Sequence, residues 1–191
     1  QNFSNFQPAA RICYDGLPVC GKRDLLQCFK VEAGYNALAV FILLDRAIPE
    51  TISLFEQDKR CRERIEIRQT GQKGIWVAMD PDHFRQVLWN LLLNAVESID
   101  GQGVIDIRVA SVKPDQVSIR VADSGCGIPK NELNHIFDPF FTSKPDGTGL
   151  GLSIVHTILE SHEGWLEVES QSGQGTTFTI KLNRMESPLI A

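Results

Sequence analysis

From about residue 62 onward, apolar and polar positions recur with regular periods, and most elements can be read from them. Phe84, Val87, Leu88, Leu91, Leu92, Ala95 and Ile99 fall at helical spacing and predict an amphipathic helix over 81–99. Asp80 suits its N-cap, and Pro81 suits the first helical position, where no N–H is needed. A second helix is read over 149–161. Alternation marks strands at Val104 to Ala110 and Val117 to Ala122, and two more strands, Trp165 to Ser170 and Thr176 to Leu182, flank a Gly-rich turn. Ile65 and Ile67 alternate with Glu66 and Arg68, Gly71 and Gly74 suggest a turn, and Ile75 to Ala78 reads as a partner strand. The stretch 62–79 is therefore predicted to be a hairpin. Pro49 to Lys59 reads as a helix with Pro in its first turn and Ile52, Leu54 and Phe55 on its apolar face. Residues 1–44 mix Gly, Pro, Cys and aromatics without a clean period. The order is helix, hairpin, helix, hairpin, long loop, helix, hairpin. It predicts an α/β two-layer sandwich (α+β), with a mixed, mainly antiparallel sheet carrying helices on one face.

Composition narrows the class of protein. The chain has 191 residues, 42% hydrophobic and 23% charged, as expected of a globular domain. A net charge of −5 works against non-specific nucleic-acid binding, which needs a basic face. The longest apolar run, Ala37 to Leu44, falls far short of the roughly 18–20 residues that span a bilayer. No contact with nucleic acid or membrane is expected of these residues. Cys13, Cys20, Cys28, Cys61 and Cys126 make an odd count without zinc-type spacing, and read as free thiols of a cytoplasmic protein. The chain opens on Gln1 without a secretory pattern, and is expected to be a piece of a longer protein that could carry an anchor elsewhere.

Five short motifs carry candidate chemistry. Asn90 and Asn94 lie one turn apart on the first long helix, with Gln86 and Glu97 on the same stripe. Their amide oxygens suit a hard cation such as Mg²⁺, although capping or bridging to a loop would use them equally well. Asp123-Ser124-Gly125-Cys126-Gly127-Ile128 follows a strand. Its aspartate can accept from an exocyclic amine such as adenine N6, and its glycines allow close approach of a flat base. Alone, that string is also an ordinary turn. Phe137 to Lys144 is an aromatic-rich loop with a lysine for phosphate, or a loop pinned to the core, or both. Gly147-Thr148-Gly149-Leu150-Gly151 opens a helix whose N–H groups suit an anion; the alternative is a hinge. Gly173-Gln174-Gly175-Thr176-Thr177-Phe178 is a hairpin turn with hydroxyls that could sit near a base.

In that order, within the segments DPDHFRQVLWNLLLNAVESI and FDPFFTSKPDGTGLGLSIVHTILESHEGWLEVES, these motifs resemble the ATP-binding catalytic domain of bacterial sensor histidine kinases, in particular its nitrogen-regulator branch. The resemblance spans about 45–184. It implies that ATP and Mg²⁺ are bound: Asn94 ligates Mg²⁺ with Asn90 beside it, Asp123 takes adenine N6, and Lys144 takes phosphate. Gly125, Gly127, Ile128, Phe137, Gly147, Thr148, Gly149, Leu150 and Gly151 complete the nucleotide set, with Thr176 or Thr177 near adenine. It implies a short lid over about 136–149. Related gyrase, mismatch-repair and chaperone ATPases carry a water-activating glutamate near the position of Asn90. An amide there favours phosphoryl transfer to a histidine over hydrolysis. Glu97 stands where many relatives have lysine.

His83, His135, His156 and His162 do not match the acceptor pattern and read as structural. The acceptor is expected upstream of Gln1, with Asn2 to Pro8 resembling the tail of the acceptor hairpin. Residues 1–44 are then a linker or inserted segment, 45–184 the catalytic domain and 185–191 a tail. The implied partners are the acceptor-histidine dimerisation domain of the same protein, a response-regulator receiver domain and, for the full-length protein, a second copy. A stand-alone ATPase, an anti-sigma-type serine kinase and a partner-binding pseudokinase are the rival readings.

Overall fold

The computed structural model describes residues 31–33, 37–58, 64–144 and 147–186. In chain order these form β1 (Val31–Ala33), β2 (Ala37–Ala39), β3 (Phe41–Leu43), α1 (Leu44–Phe55), β4 (Ile65–Gly71), β5 (Trp76–Ala78), α2 (Pro81–Ser98), β6 (Gly103–Lys113), β7 (Gln116–Asp123), α3 (Gly151–Ser161), β8 (Trp165–Gln171) and β9 (Gly175–Met185). Cys13, Cys20, Cys28, Cys61 and the segment Asn2 to Pro8 lie outside the described residues, as do 187–191 of the tail.

β1 and β2 pair antiparallel as a separate ribbon. The other seven strands form one sheet of order β3-β5-β9-β7-β6-β4, with β8 also paired to β9. Only β4–β6 is parallel; every other described pairing in this sheet is antiparallel. The mixed, mainly antiparallel architecture read from the sequence is thus the one observed. Alternation decides the two faces. Ile105, Ile107 and Val109 of β6 are buried between exposed Asp106 and Arg108. They join Val117, Ile119 and Val121 of β7 and Phe178, Ile180 and Leu182 of β9 in one core with the helices. Leu88, Leu91 and Leu92 of α2 are fully buried there, each worth about 1.5–3 kcal/mol relative to exposure. Among the described residues no helix is long and apolar enough to cross a membrane.

The expected start of α2 is observed: the Asp80 carboxylate accepts from the N–H groups of Asp82 (2.9 Å) and His83 (3.0 Å). Two expectations fail. The first helix begins at Leu44, not Pro49, and ends at Phe55. Leu44, Ala47, Ile48, Thr51, Ile52 and Phe55 bury one stripe, and this burial outweighs the bond that interior Pro49 cannot make. Pro49 faces solvent, and Leu54, expected on the apolar face, is 48% exposed. The apolar run before it is split between β2, β3 and the first residue of α1.

The second failure is the 62–79 hairpin. β4 pairs with β6 (Ile65 opposite Gly103), whereas β5 pairs with β3 and β9. The linker between them therefore joins distant positions in the sheet. Gly71 is not a hairpin turn residue. At φ +121° its backbone lies so close to β6 that a Cβ would stand 2.1 Å from the Val109 carbonyl oxygen.

Candidate active site

The carboxyl end of β7, the glycine turn entering β9, the last turns of α2 and the start of α3 meet at one place. Asp123 closes β7. Its Oδ1 accepts three hydrogen bonds: from the Gly125 N–H (2.8 Å), the Ser98 hydroxyl (3.1 Å) and the Thr176 N–H (3.2 Å). Its Oδ2 accepts none among the described residues. Burial raises the carboxyl pKa from its ordinary value. The bonds from Gly125, Ser98 and Thr176 and the Lys144 charge oppose that rise without cancelling it.

The turns around Asp123 are stitched together. The Ile128 N–H donates to the Ser170 hydroxyl (2.8 Å), which shares a hydrogen bond with the Thr176 hydroxyl (2.9 Å) and donates to the Gly175 carbonyl (3.0 Å). The Gly173 N–H reaches the Cys126 carbonyl, and the Cys126 N–H the Ser98 carbonyl (2.9 Å). Gly175, at φ +87°, passes the Asp123 backbone so closely that a Cβ would stand 2.0 Å from its carbonyl oxygen. Period-two alternation separates the two threonines. Thr176 is buried beside Asp123, while the Thr177 hydroxyl accepts from Arg120 (3.3 Å), which is exposed on the outer face. Of that pair, only Thr176 is brought to Asp123. Cys126 is an exposed free thiol.

Asn90 projects from α2 toward the start of α3; a Cβ on Gly151 would be 3.9 Å from Asn90 Oδ1. The Asn94 Nδ2 is buried without a hydrogen-bond partner. A buried, unpaired carboxamide is costly unless a ligand completes it. That nitrogen is a donor and calls for an acceptor such as a phosphate oxygen, while the carboxamide oxygens of Asn90 and Asn94 are of the type that suits a hard cation. α3 opens at Leu150 with no side-chain cap and no acidic residue in its first turn, so its leading N–H groups and dipole are left for an anion. Thr148 binds locally, its hydroxyl accepting from the Leu150 N–H (3.4 Å), and Gly147 lies against Thr142.

The aromatic loop is tethered at both ends. Phe137 packs on the His156 ring of α3 (5.7 Å between centroids) and against the core, while Phe141 lies on His135 (5.8 Å). The Phe140 N–H donates to the Gly149 carbonyl (2.9 Å), at φ +68° with its ring exposed. Lys144 Nζ donates to Glu97 Oε2 at 2.6 Å, so the lysine expected on phosphate is held by a carboxylate on the asparagine stripe. Pro145 and Asp146 of the lid are outside the described residues.

Three contributors escaped the sequence reading: Ser98, Ser170 and the Glu97–Lys144 pair. Ser98 lies one turn beyond Asn94, so its helical spacing was a usable signal. Ser170 and the lysine partnership follow from strand pairing and loop path, which no local pattern records.

Residues 79–186 match the family model described as "Histidine kinase-, DNA gyrase B-, and HSP90-like ATPase". The chain belongs to this ATPase family. Membership makes it an ATP-binding domain, and the glycine turns, α2 asparagines and α3 start described above are parts of that domain. The chain is similar to sensor histidine kinase ZraS of Escherichia coli (strain K12), with 45% identity over 140 residues covering 73% of this chain and 30% of ZraS. It therefore spans about a third of the length of that relative. The catalytic domain of histidine kinase ThkA superposes with a TM-score of 0.68 and 33% identity, covering 76% of this chain and 95% of that one. ThkA in complex with the response regulator TrrA gives a TM-score of 0.65 and 30% identity, covering 77% and 42%.

Proposed function

We propose that this chain is the ATP–Mg²⁺ catalytic domain of a cytoplasmic sensor histidine kinase. It transfers the γ-phosphoryl group of ATP to a histidine outside these residues, for onward passage to a response-regulator aspartate. One observation carries the reading: the α2 position facing the start of α3 is an amide, Asn90, which cannot take a proton from water at neutral pH. The nearest carboxylate on that stripe, Glu97, is engaged by Lys144. The ThkA complex supports a response-regulator receiver domain as a partner, and the sensor-histidine-kinase names of the relatives support an acceptor-histidine domain; a second copy of the full-length protein is proposed beside them. The short lid supports the nitrogen-regulator branch. None of the four histidines is offered as the acceptor. His162 is held by the Ile158 carbonyl (2.7 Å), and His83 packs edge-on against it. His156 faces Glu160 and Phe137, and His135 binds Asp138 (2.9 Å).

In this reading Asp123 Oδ2 accepts from adenine N6, and Gly125, Gly127, Ile128 and Thr176 shape the base site. The N–H groups of Gly149 and Gly151, with Leu150 between them, face phosphate, and Phe137 anchors the lid. Asn94 and Asn90 hold Mg²⁺, which neutralises charge developing on the phosphates. Chemistry then rests on positioning the γ-phosphoryl group in line with an imidazole nitrogen.

The test is to supply γ-labelled ATP and Mg²⁺ with and without a histidine-bearing helical-hairpin domain. Label is expected to pass to the hairpin as acid-labile phosphohistidine, with little phosphate released in its absence. Brisk release without acceptor would replace this reading by the ATPase one, and acid-stable label on a partner by the serine-kinase one.

Lys144 must leave Glu97 to reach phosphate. The pair is partly exposed, so it is worth at most about 1 kcal/mol. Glu97→Gln is therefore expected to tighten ATP binding about two- to fivefold, read by calorimetry. Weaker binding would show that Glu97 assists the ligand instead.

A further inference from the structure

Ser98 belongs to no motif identified in the sequence, yet its side chain and backbone both reach the Asp123 loop. Its hydroxyl has a single hydrogen and two acceptors in range, the Ala95 carbonyl at 2.8 Å and Asp123 Oδ1 at 3.1 Å; the ionised carboxylate is the stronger acceptor, and the hydrogen is assigned to it. Its own carbonyl accepts from the Cys126 N–H at 2.9 Å. The fit is tight: a Cβ on Gly125 would stand 2.0 Å from Ser98 Oγ. The last turn of the helix that bears Asn90 and Asn94 is thus clasped to the carboxylate at the end of β7.

We infer that Ser98 is a positioning residue for base selection: with the Gly125 and Thr176 N–H groups it commits Asp123 Oδ1, so that Oδ2 faces the ligand as a pure acceptor. A carboxylate held by three donors on one oxygen has a fixed plane. Its second oxygen then offers lone pairs at one place, where a 6-amino group can donate. A 6-oxo purine would place lone pairs against lone pairs there. Without the Ser98 hydroxyl, one of the three donors is lost, the only one that comes from α2. The carboxylate can then turn, and the acceptor is no longer preset. The inference rests on the proposal that Asp123 receives the adenine amine, and deepens it.

The test is a cycle between one protein group and one ligand group. Binding of ATP and of purine riboside triphosphate, which lacks the 6-amino group, is measured by calorimetry for wild type, Ser98→Ala, Ser98→Cys and Asp123→Asn. Melting curves accompany each variant. Wild type is expected to prefer ATP strongly. Ser98→Ala is expected to lose about tenfold for ATP while its affinity for the desamino analogue stays within about twofold. Ser98→Cys, which keeps a weaker donor in the same place, is expected to fall between. Equal loss for both ligands would reduce Ser98 to a structural clasp and overturn the inference. Unchanged ATP binding in Ser98→Ala would overturn it as well. If wild type or Asp123→Asn binds both triphosphates alike, with ATP as tight in Asp123→Asn as in wild type, the Asp123 reading itself fails, which is a distinct outcome.

Discussion

Replacing Asp123 by Asn is expected to weaken ATP binding about 100-fold or more while raising the melting temperature of the nucleotide-free protein. The two effects have one origin. Asp123 Oδ1 is held by Ser98, Gly125 and Thr176, which leaves Oδ2 to accept from the base. Asn keeps an oxygen for the three protein donors but turns an NH₂ toward the adenine amine, so donor meets donor. Loss of a hydrogen bond to a charged group is worth about 1.5–3 kcal/mol, before the clash is counted. The stability gain comes from burial, which disfavours the charged carboxylate and raises its pKa. For an acid with a raised folded-state pKa, the stabilising contribution is fully present below the unfolded pKa. It is lost as pH rises through the folded one. At neutral pH the ionised group is therefore a cost, and the neutral amide removes it. Thermal melting across pH should show the variant's advantage shrinking as the wild-type carboxyl protonates. ATP affinity of the wild type should fall in acid, at a higher pH than an ordinary aspartate would give. A variant that binds ATP normally would remove Asp123 from the base site.

The second large effect is expected at Asn94. Asn94→Ala should abolish the Mg²⁺-dependent part of ATP affinity and slow phosphoryl transfer to a supplied acceptor by about 10²–10³-fold. That range corresponds to a few kcal/mol of lost charge neutralisation. The same change should not destabilise the fold by the amount usual for a buried residue, because the Asn94 Nδ2 is buried and unpaired. The contrast between activity and stability is the diagnostic, measured as Mg²⁺ titrations of ATP binding beside denaturant unfolding. If Mg²⁺ dependence persists in Asn94→Ala, the metal lies elsewhere. If stability collapses instead, Asn94 is a structural amide.

Helix α2 shows why much of this domain could be read before it was seen. Its cap at Asp80, Pro at the first position and apolar face at Leu88, Leu91 and Leu92 are all local, and all agree with the final burial. The β6–β7 and β8–β9 hairpins were legible for the same reason: alternation marks the first pair, and a Gly-rich turn separates the second. At the site, Asp123, Thr176, Asn90 and Asn94 were named by type and spacing, and the structure brings Asp123 to Thr176 and Asn90 to the start of α3. The 62–79 hairpin failed because two adjacent strands with glycines between them look alike whether they pair or part. Their partners, β6 for β4 and β9 for β5, lie farther along the chain. Pro49 misled because its local preference was weaker than burying the stripe from Leu44 to Phe55. Thr176 and Thr177 could not be told apart until the register of β9 assigned each a face.

The amino-acid sequence by itself determined the helices, the alternating strands, the family and most of the polar groups at the site, since these depend on residue type and on spacings of a few positions. Only the tertiary structure decided the parallel β4–β6 pairing, the capture of Lys144 by Glu97 and the bonds from Ser98 and Thr176 that fix Asp123. Each of these joins groups 25 to 53 residues apart. Such contacts form only because burying a common core brings those segments together, and no local periodicity encodes which segments will meet.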